Sequence, residues 1–282
     1  HDVVPPEPED ARQSTATEEN AACAAEPLAG RVSIPRMGND IHGFPRGARP
    51  GTFLHGVLEW AALSGFARVA SDRALREDAI ARRCNRRGWE HWITPLTDWL
   101  GELLLTPLSL DGAVLQLSQL SVYQPELEFW FASHRVDTLQ LDRLVTGHTL
   151  AAAARLPLRP HLLNGMLKGF VDLVFEQDGR YFVADWKSNW LGPDASAYTA
   201  AALRTAVLVH RYELQYALYV LALHRQLKNR LPDYDYDRHI GGAAYVFLRG
   251  IHNPDTRGVH FEKPSRTLIE ALDTLFSGAA FA

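Results

Sequence analysis

The feature that most constrains the fold of this chain is a pair of apolar segments on either side of Asp178-Gly179. Residues 163–177 and 180–191 are rich in apolar, aromatic and β-branched side chains, which are typical of strands. Asp-Gly tolerates the positive φ angles of a two-residue type I′ turn. The sequence therefore predicts a β-hairpin that turns at Asp178-Gly179.

The turn determines which residues of the two strands face each other. With Gln177 opposite Arg180, Asp172 falls directly opposite Asp185 on one face of the sheet. Lys187 lies on the same face, diagonal to Asp172, because side chains two positions apart on a strand point the same way. We therefore expect the hairpin to bring two carboxylates and one ammonium group together.

This predicted cluster has the chemistry of a metal site. Two carboxylates that face each other repel, and a divalent cation between them reverses the sign of the interaction. Carboxylate oxygens suit Mg²⁺, and a lysine beside the ion can orient the attacking water and stabilise developing charge. The alternative is an exposed polar hairpin face with an ordinary Lys–Asp pair. The metal site is favoured because Asp172, Asp185 and Lys187 are in register within apolar sequence.

Composition predicts one folded domain after an acidic segment. A chain of 282 residues with 46% hydrophobic residues can bury the core of one sizeable domain. The net charge of −4 is unevenly placed, since residues 1–26 carry seven acidic side chains and one basic side chain, Arg12. Residues 1–30 cannot bury enough apolar surface to order themselves, so we expect a disordered acidic linker there and the domain at residues 31–282.

Cysteine content and hydropathy exclude several classes of protein. Cys23 and Cys84 are the only cysteines, too few to build a zinc or iron–sulfur cluster by themselves. Such low cysteine usage fits a reducing compartment, and we expect a cytoplasmic protein. No apolar run has the length of a membrane span, and no signal-peptide pattern is present.

Upstream of the hairpin, the candidate site residues have weaker support. A helix is predicted from Thr52, a suitable N-cap, with His55 in its first turn. A lone histidine is more often a surface or core-edge side chain than a ligand. Residues 114–131 are predicted to form strands, in which Glu126 and Glu128 share a face. One or both could reach the hairpin, and a solvent-facing strand edge is the alternative.

Downstream of the hairpin, a long helix is predicted at residues 198–231, ended by Pro232. On it Arg211, Gln215 and Tyr219 are spaced at i, i+4 and i+8, which gives a polar stripe able to contact phosphate. Core packing or solvation explains each of them equally well alone. Further helices are predicted at residues 68–105, 139–154 and 267–276, and a buried strand at residues 242–248. This order of elements predicts an α/β sandwich around a mixed sheet.

These motifs resemble the PD-(D/E)xK nuclease superfamily over roughly residues 36–250. The matching stretches are Gly-Thr-Phe-Leu-His55, Gly-Phe-Val-Asp172, Asp185-Trp-Lys187-Ser-Asn-Trp-Leu-Gly and Gln215-Tyr-Ala-Leu-Tyr219. Within the superfamily, the sequence is most similar to the nuclease domain of a bacterial helicase–nuclease. The resemblance implies a restriction-endonuclease-like fold, in which helices flank a mixed central sheet.

The resemblance also implies roles for individual residues. The family's metal ligands correspond to His55, Asp172, Asp185 and the main-chain carbonyl of Trp186, and its catalytic lysine corresponds to Lys187. Its Gln-x-x-x-Tyr pair, which supports the site and contacts DNA, corresponds to Gln215 and Tyr219. Arg211 is a candidate DNA contact through the polar stripe alone. Relatives often carry Tyr at the position of Trp186, and a carbonyl ligand is unaffected by that difference.

A glutamate that precedes the hairpin in the family corresponds to Glu126 or Glu128. Glu126 is favoured, because the family's glutamate stands three residues before a phenylalanine, here Phe129.

The function implied by the resemblance is hydrolysis of DNA by one or two Mg²⁺ ions, with Mn²⁺ as a possible substitute. The substrate would be single-stranded DNA ends, and the partners would be helicase domains of the same polypeptide and the other subunits of a helicase–nuclease. One alternative is an inactive nuclease fold that binds DNA or partner subunits, but the Asp/Asp/Lys set is intact. Another is an iron–sulfur nuclease, which needs four cysteines where this chain has two.

Overall fold

A computed structural model describes residues 40–277, so the predicted linker at residues 1–30 lies outside the described residues. The helices are α1 (Ala48–Ser64), α2 (Phe66–Ser71), α3 (Arg73–Asn85), α4 (Ile93–Leu105), α5 (Thr138–His148), α6 (Ala200–His210), α7 (Tyr212–Arg230), α8 (Tyr236–His239) and α9 (Arg266–Ser277). The strands are β1 (Leu108–Leu110), β2 (Ala113–Leu115), β3 (Tyr123–Asp137), β4 (Leu162–Gln177), β5 (Arg180–Lys187), β6 (Ile240–Phe247) and β7 (Val259–Glu262). None of the helices in this part of the chain has both the length and the apolar character needed to cross a membrane.

The central sheet has the strand order β3-β4-β5-β6-β7. Neighbouring strands are antiparallel except β5 and β6, which are parallel and are joined by the crossover through α6, α7 and α8. β1 and β2 form a separate small hairpin. The predicted α/β fold with a mixed central sheet is confirmed.

Helices cover both faces of this sheet. On one face, residues of α1 to α4 share a hydrophobic core with Phe182 and Trp186 of β5. On the other face, residues of α5, α6, α7 and α9 share a second core with Val171, Val183 and Tyr245. All residues of β6 are buried, as expected for a strand covered on both faces. The end of β5 therefore lies between the two helical layers.

The predicted hairpin is confirmed in its turn and its register. Asp178 and Gly179 have φ angles of 52° and 76°, which is the left-handed conformation that a type I′ turn requires. The strands pair from Gln177–Arg180 inward to Leu173–Ala184. One further step along both strands brings Asp172 beside Asp185, as predicted.

The predicted helix at residues 198–231 is wrong as a single element. Arg211 has a φ angle of 56° and separates α6 from α7. Its guanidinium donates to Asp142 Oδ1 (2.5 Å), Glu213 Oε1 (2.5 Å) and the Leu156 carbonyl (2.5 Å). These contacts explain how a non-glycine residue is held in a left-handed conformation that costs free energy.

Three other helix predictions needed smaller corrections. α1 begins at Ala48 rather than at Thr52, and its first turn contains Pro50, a position where proline is tolerated. Residues 68–105 are mostly helical, as predicted, and are divided among α2, α3 and α4. α5 ends at His148, and the alanines that follow it are outside the helix.

Arg249 ties the segment that precedes α1 to the end of β5. Its side chain is 1% exposed, and its guanidinium donates hydrogen bonds to the carbonyls of Ile41 (2.5 Å), Phe44 (2.9 Å), Pro45 (2.7 Å) and Ser188 (3.1 Å). Burial lowers the pKa of Arg249 to about 10, so the guanidinium stays charged at neutral pH. The contact therefore sets the position from which α1 begins.

Candidate active site

The predicted site residues of the hairpin meet His55 beside β4 and β5. α1 packs closely on the end of β5, since a Cβ at Gly51 would come within 2.9 Å of Ser188 Oγ. One turn further along α1, His55 Nδ1 lies 3.3 Å from Asp172 Oδ1. The other carboxylate oxygen, Asp172 Oδ2, accepts a hydrogen bond of 2.7 Å from the Trp186 N–H. The structure thus shows that His55 lies beside the hairpin, which the spacing of these residues along the chain did not predict.

Lys187 is held at the centre of the site by three kinds of contact. Its ammonium group lies 2.6 Å from Asp185 Oδ2 and donates a hydrogen bond of 2.9 Å to Gln215 Oε1. The same group lies 3.9 Å from the centre of the Tyr212 ring, which is within the range of a cation–π interaction. Burial lowers the pKa of Lys187, but Asp185 outweighs burial and raises the pKa overall. Lys187 therefore stays protonated at neutral pH, and its ammonium group is held in one position.

The amide of Gln215 is fixed by two tyrosines. Its Nε2 donates to the Tyr219 hydroxyl (2.7 Å), and the Tyr245 hydroxyl donates to its Oε1 (3.0 Å). The amide therefore presents its oxygen, and not its NH₂ group, to Lys187. The predicted shared face of Gln215 and Tyr219 is confirmed by their hydrogen bond.

Tyr212 and Tyr245 were missed by the sequence analysis. Tyr245 lies opposite Asp185 in the parallel pairing of β5 and β6. Nothing in the sequence indicates which strand lies beside β5, because the two strands are separated by the crossover helices. The strand prediction at residues 242–248 was the only signal that could have led to Tyr245.

Burial and charge shift the pKa values of the two aspartates in opposite directions. Burial lowers the pKa of His55, but Asp172 and Asp185 outweigh it and raise the pKa to about 9. Burial raises the pKa of Asp172, but His55 and the Trp186 N–H lower it overall. Burial raises the pKa of Asp185 to about 6, where Lys187 opposes the shift and Asp172 adds to it. Asp185 is thus the carboxylate that gains most from a nearby cation.

The two candidate glutamates lie in different surroundings. The pairs Pro125–Leu173 and Leu127–Val171 flank Glu126, so the register of β3 and β4 places Glu126 across from Asp172. Glu126 also has a φ angle of 48°, which breaks the strand parity that would have kept it on the same face as Glu128. Glu128 is exposed and pairs with Lys168 (3.2 Å). The register supports the preference for Glu126 and leaves Glu128 at the surface.

Arg211 does not join the polar stripe of Gln215 and Tyr219. It lies in the break between α6 and α7, and its guanidinium is paired with Asp142 and Glu213. Because both carboxylates are buried, these pairs belong to the core between α5 and α7. The prediction that Arg211 shares the face of Gln215 and Tyr219 is wrong, and its contacts indicate a structural role.

The donor atoms of the site suit a hard divalent cation. Asp185 Oδ2 is buried and accepts no hydrogen bond of good geometry, although Lys187 Nζ lies close to it. Within residues 40–277, no three His, Cys, Asp or Glu side chains already stand at the spacing of a metal cluster. A cation would compete with the existing ion pairs of Asp172 and Asp185 for their oxygens. Two carboxylates, the Trp186 carbonyl and one imidazole nevertheless fit Mg²⁺ or Mn²⁺ by ligand type.

The fold and the site define a nuclease of known class. A sequence profile of the PD-(D/E)XK nuclease superfamily matches residues 33–280, so the chain belongs to this superfamily. Among curated relatives, the RecBCD enzyme subunit RecB of Escherichia coli (strain K12) is 43% identical over 242 residues, which cover 84% of this chain and 20% of that protein.

Two further relatives of the same name extend this comparison. The RecBCD enzyme subunit RecB of Haemophilus influenzae is 35% identical over 84% of this chain and 19% of its own length. The protein of that name from Mycolicibacterium smegmatis is 36% identical over 88% of this chain and 26% of its own length. The chain therefore spans about one fifth to one quarter of the curated relatives that it matches.

Proposed function

We propose that this chain hydrolyses DNA phosphodiester bonds as the Mg²⁺-dependent nuclease part of a helicase–nuclease of the exodeoxyribonuclease V type. The observation that carries the proposal is the meeting of Asp172, Asp185 and Lys187 beside His55. Buried carboxylates that face each other are unfavourable in a sheet unless they serve a cation. Membership of a nuclease superfamily supports the same reading.

Each site residue has a distinct part in the proposed reaction. Asp172, Asp185, His55 and the Trp186 carbonyl would hold one or two Mg²⁺ ions, and Mn²⁺ could replace them. The bound ion would polarise the phosphate and lower the pKa of the attacking water. Glu126, across from Asp172, would assist by accepting hydrogen bonds from water near the site.

Lys187 would stabilise the negative charge that develops on the phosphate in the transition state. Its ammonium group already points at Asp185, and Gln215 holds it there because Tyr219 and Tyr245 fix the amide. A lysine fixed in this way needs little reorganisation when the charge develops, which is the condition for strong electrostatic catalysis.

The names of the relatives support a proposal for the biological setting. As the counterpart of part of RecB, the chain would act on single-stranded ends that helicase domains of the same polypeptide unwind. RecC-like and RecD-like subunits would complete the complex, which would degrade linear DNA and process double-strand breaks in the cytoplasm.

The direct test is a cleavage assay on linear single-stranded DNA. We expect cleavage in Mg²⁺ or Mn²⁺, no cleavage in excess EDTA, and recovery when Mg²⁺ is added back, because hydrolysis at this site requires the cation. Circular single-stranded DNA of the same sequence is the control for dependence on ends. Cleavage that persists in EDTA, or intact DNA in both metals, would contradict the proposal and favour an inactive nuclease fold that only binds DNA.

The role of Lys187 is tested by Lys187→Ala. Turnover is expected to fall by about a hundredfold or more, while Mg²⁺ binding and DNA binding change little, because the charge acts mainly in the transition state. Lys228→Ala is the matched control, since Lys228 is 60% exposed and pairs with Asp273 away from the site. If Lys187→Ala weakened DNA binding but turned over as fast as the wild type at saturating DNA, Lys187 would serve only to bind phosphate.

A further inference from the structure

The β3–β4 pair extends beyond the rest of the sheet. β4 pairs with β5 from Leu173 to Gln177, whereas its pairing with β3 runs from Phe175 to Leu162. Residues 162–171 of β4 and 127–137 of β3 therefore form a two-stranded ribbon, paired with each other and not with β5. This ribbon begins directly at Asp172, which would put anything bound along it next to the site.

The two faces of the ribbon differ in what covers them. The inner face carries Phe129, Phe131 and Val171, which pack into the core formed with α5, α7 and α9. The even-numbered positions form the outer face and are exposed, with Trp130 at 52%, Met166 at 59% and Phe170 at 40%. Leu162 at the far end is 47% exposed as well.

The outer face concentrates apolar surface that a soluble chain ordinarily buries. Four of the eleven exposed large hydrophobic residues found among the described residues lie on this one ribbon. A contiguous patch of this kind marks an interaction surface, whereas single exposed apolar side chains do not. The patch therefore indicates a surface that binds another molecule.

The chemistry of the patch is that of a surface for single-stranded nucleic acid. Lys168 lies opposite Trp130, and its ammonium group lies 4.8 Å from the centres of both the Trp130 and the Phe170 ring. A cation between two exposed rings provides stacking surfaces for bases and a partner for phosphate. The ion pair of Lys168 with Glu128 is about 40% exposed at both ends, so a phosphate can replace it at little cost.

The direction of the ribbon favours nucleic acid over a protein partner. Met166, Lys168 and Phe170 are successive even positions of β4, so the patch runs along the strand toward Asp172, which meets His55 in the site. Exposed Arg135 and Arg159 lie at its other end, where Thr138 Oγ1 donates to the Arg159 carbonyl. A polyanion that enters the site thus has a path marked by cations and rings.

We propose that the outer face of the β3–β4 ribbon, with Trp130, Lys168 and Phe170 at its centre, binds a single nucleic-acid strand and leads it to Asp172. We call this outer face the track. The proposal rests on the proposed nuclease function, because it takes the strand bound along the track to be the substrate that the site cleaves. The aromatic rings stack on bases without regard to sequence, and Lys168 contacts the backbone. Neither ring belongs to the catalytic set, so the track affects binding and not the chemical step.

The test measures binding and cleavage separately in the 282-residue chain. Equilibrium binding of oligothymidylate of about sixteen nucleotides, without divalent metal, is expected to weaken about 5- to 30-fold in Trp130→Ala and in Phe170→Ala. Trp130→Phe should restore most of the affinity, because a phenyl ring still stacks. Lys168→Gln should lower the slope of log affinity against log salt by about 0.7.

Matched controls are Leu63→Ala and Val209→Ala, which remove exposed apolar side chains of 71% and 57% exposure outside the ribbon. Both should bind as the wild type does. In Mg²⁺, the ribbon variants should raise KM for the long oligonucleotide and leave kcat unchanged, and cleavage of a dinucleotide should not respond to them.

The outcomes separate failure of the track from failure of the nuclease proposal. Wild-type affinity in Trp130→Ala and Phe170→Ala would overturn the track and assign the patch to a protein contact, even if the chain cleaves DNA. If the wild type cleaves nothing, the metal-free binding assay still decides the track. Loss of dinucleotide cleavage in the ribbon variants would also overturn the proposal, because it would show that the rings act in the site itself.

Discussion

Asp172→Asn is expected to reduce DNA cleavage by about a thousandfold or more while the domain stays folded. The substitution removes a charged metal ligand, and with it the transition-state stabilisation that depends on the cation. The amide oxygen of Asn can still accept the Trp186 N–H, so the backbone contact across the hairpin survives. Loss of one of two facing carboxylates also removes a repulsion. Single-turnover cleavage in Mg²⁺ and circular dichroism melting are the measurements.

Asp185→Asn should abolish cleavage to the same extent but with a larger loss of stability. It leaves the buried Lys187 ammonium without the carboxylate that lies 2.6 Å away, and breaking a buried pair on one side costs several kcal/mol. Asp142→Asn is the matched control, because Asp142 is also buried and ion-paired but lies outside the site. It should lose stability and retain activity. Wild-type cleavage rates in Asp172→Asn or Asp185→Asn would rule out the metal site.

The centre of the site could be predicted from the sequence because it depends on local geometry. Once Asp178-Gly179 is a two-residue turn, the register of the hairpin follows by counting, and Asp172 must come beside Asp185. The same reasoning placed Lys187 correctly. Gln215 and Tyr219 are four residues apart on one helix, so their hydrogen bond is also a local property.

What could not be predicted depends on contacts between distant segments. The break at Arg211 is stabilised by Asp142, which is far away in the chain, so helical periodicity alone continued the helix through it. The meeting of His55 with Asp172 requires the docking of α1 on β5. Tyr245 reaches Gln215 only because β6 lies beside β5. The local sequence pattern does not predict the break at Arg211 or either of these two contacts.

The site itself contains three deviations from local rules. Glu126 has a left-handed backbone within a strand, and Asp172 and Asp185 are buried carboxylates side by side in a sheet. Each costs stability that the surrounding packing must supply. Natural sequences accept such conflicts mainly where function requires them, which supports this end of β5 as the working part of the domain.

Arg249→Leu is expected to destabilise the domain by about 3–5 kcal/mol, as a urea unfolding curve would measure. The substitution leaves the carbonyls of Ile41, Phe44, Pro45 and Ser188 without their shared donor. A buried acceptor left without a partner costs about 1–3 kcal/mol, and local rearrangement that admits water would recover part of the sum. Arg249→Lys should also destabilise, because one ammonium cannot reproduce the planar fork of donors.

The matched control is Arg82→Leu, since Arg82 is 59% exposed and pairs with Asp78 on the same helix. Its effect should be within about 0.5 kcal/mol. If Arg249→Leu were as stable as the wild type, the hydrogen bonds of the buried guanidinium would only offset the free-energy cost of removing it from water.

Arg249 also connects stability to the proposed activity. The carbonyls that it binds lie in the segment before α1, which carries His55, and directly after Lys187. Loosening this contact should free the start of α1 before the sheet unfolds, so Arg249→Leu should expose the bonds near residues 40–46 to limited proteolysis. We expect cleavage of DNA to fall at urea concentrations below the unfolding midpoint, because His55 would leave Asp172 while β4 and β5 remain paired. Coincident loss of activity and of secondary structure would instead show that α1 and the sheet unfold as one unit.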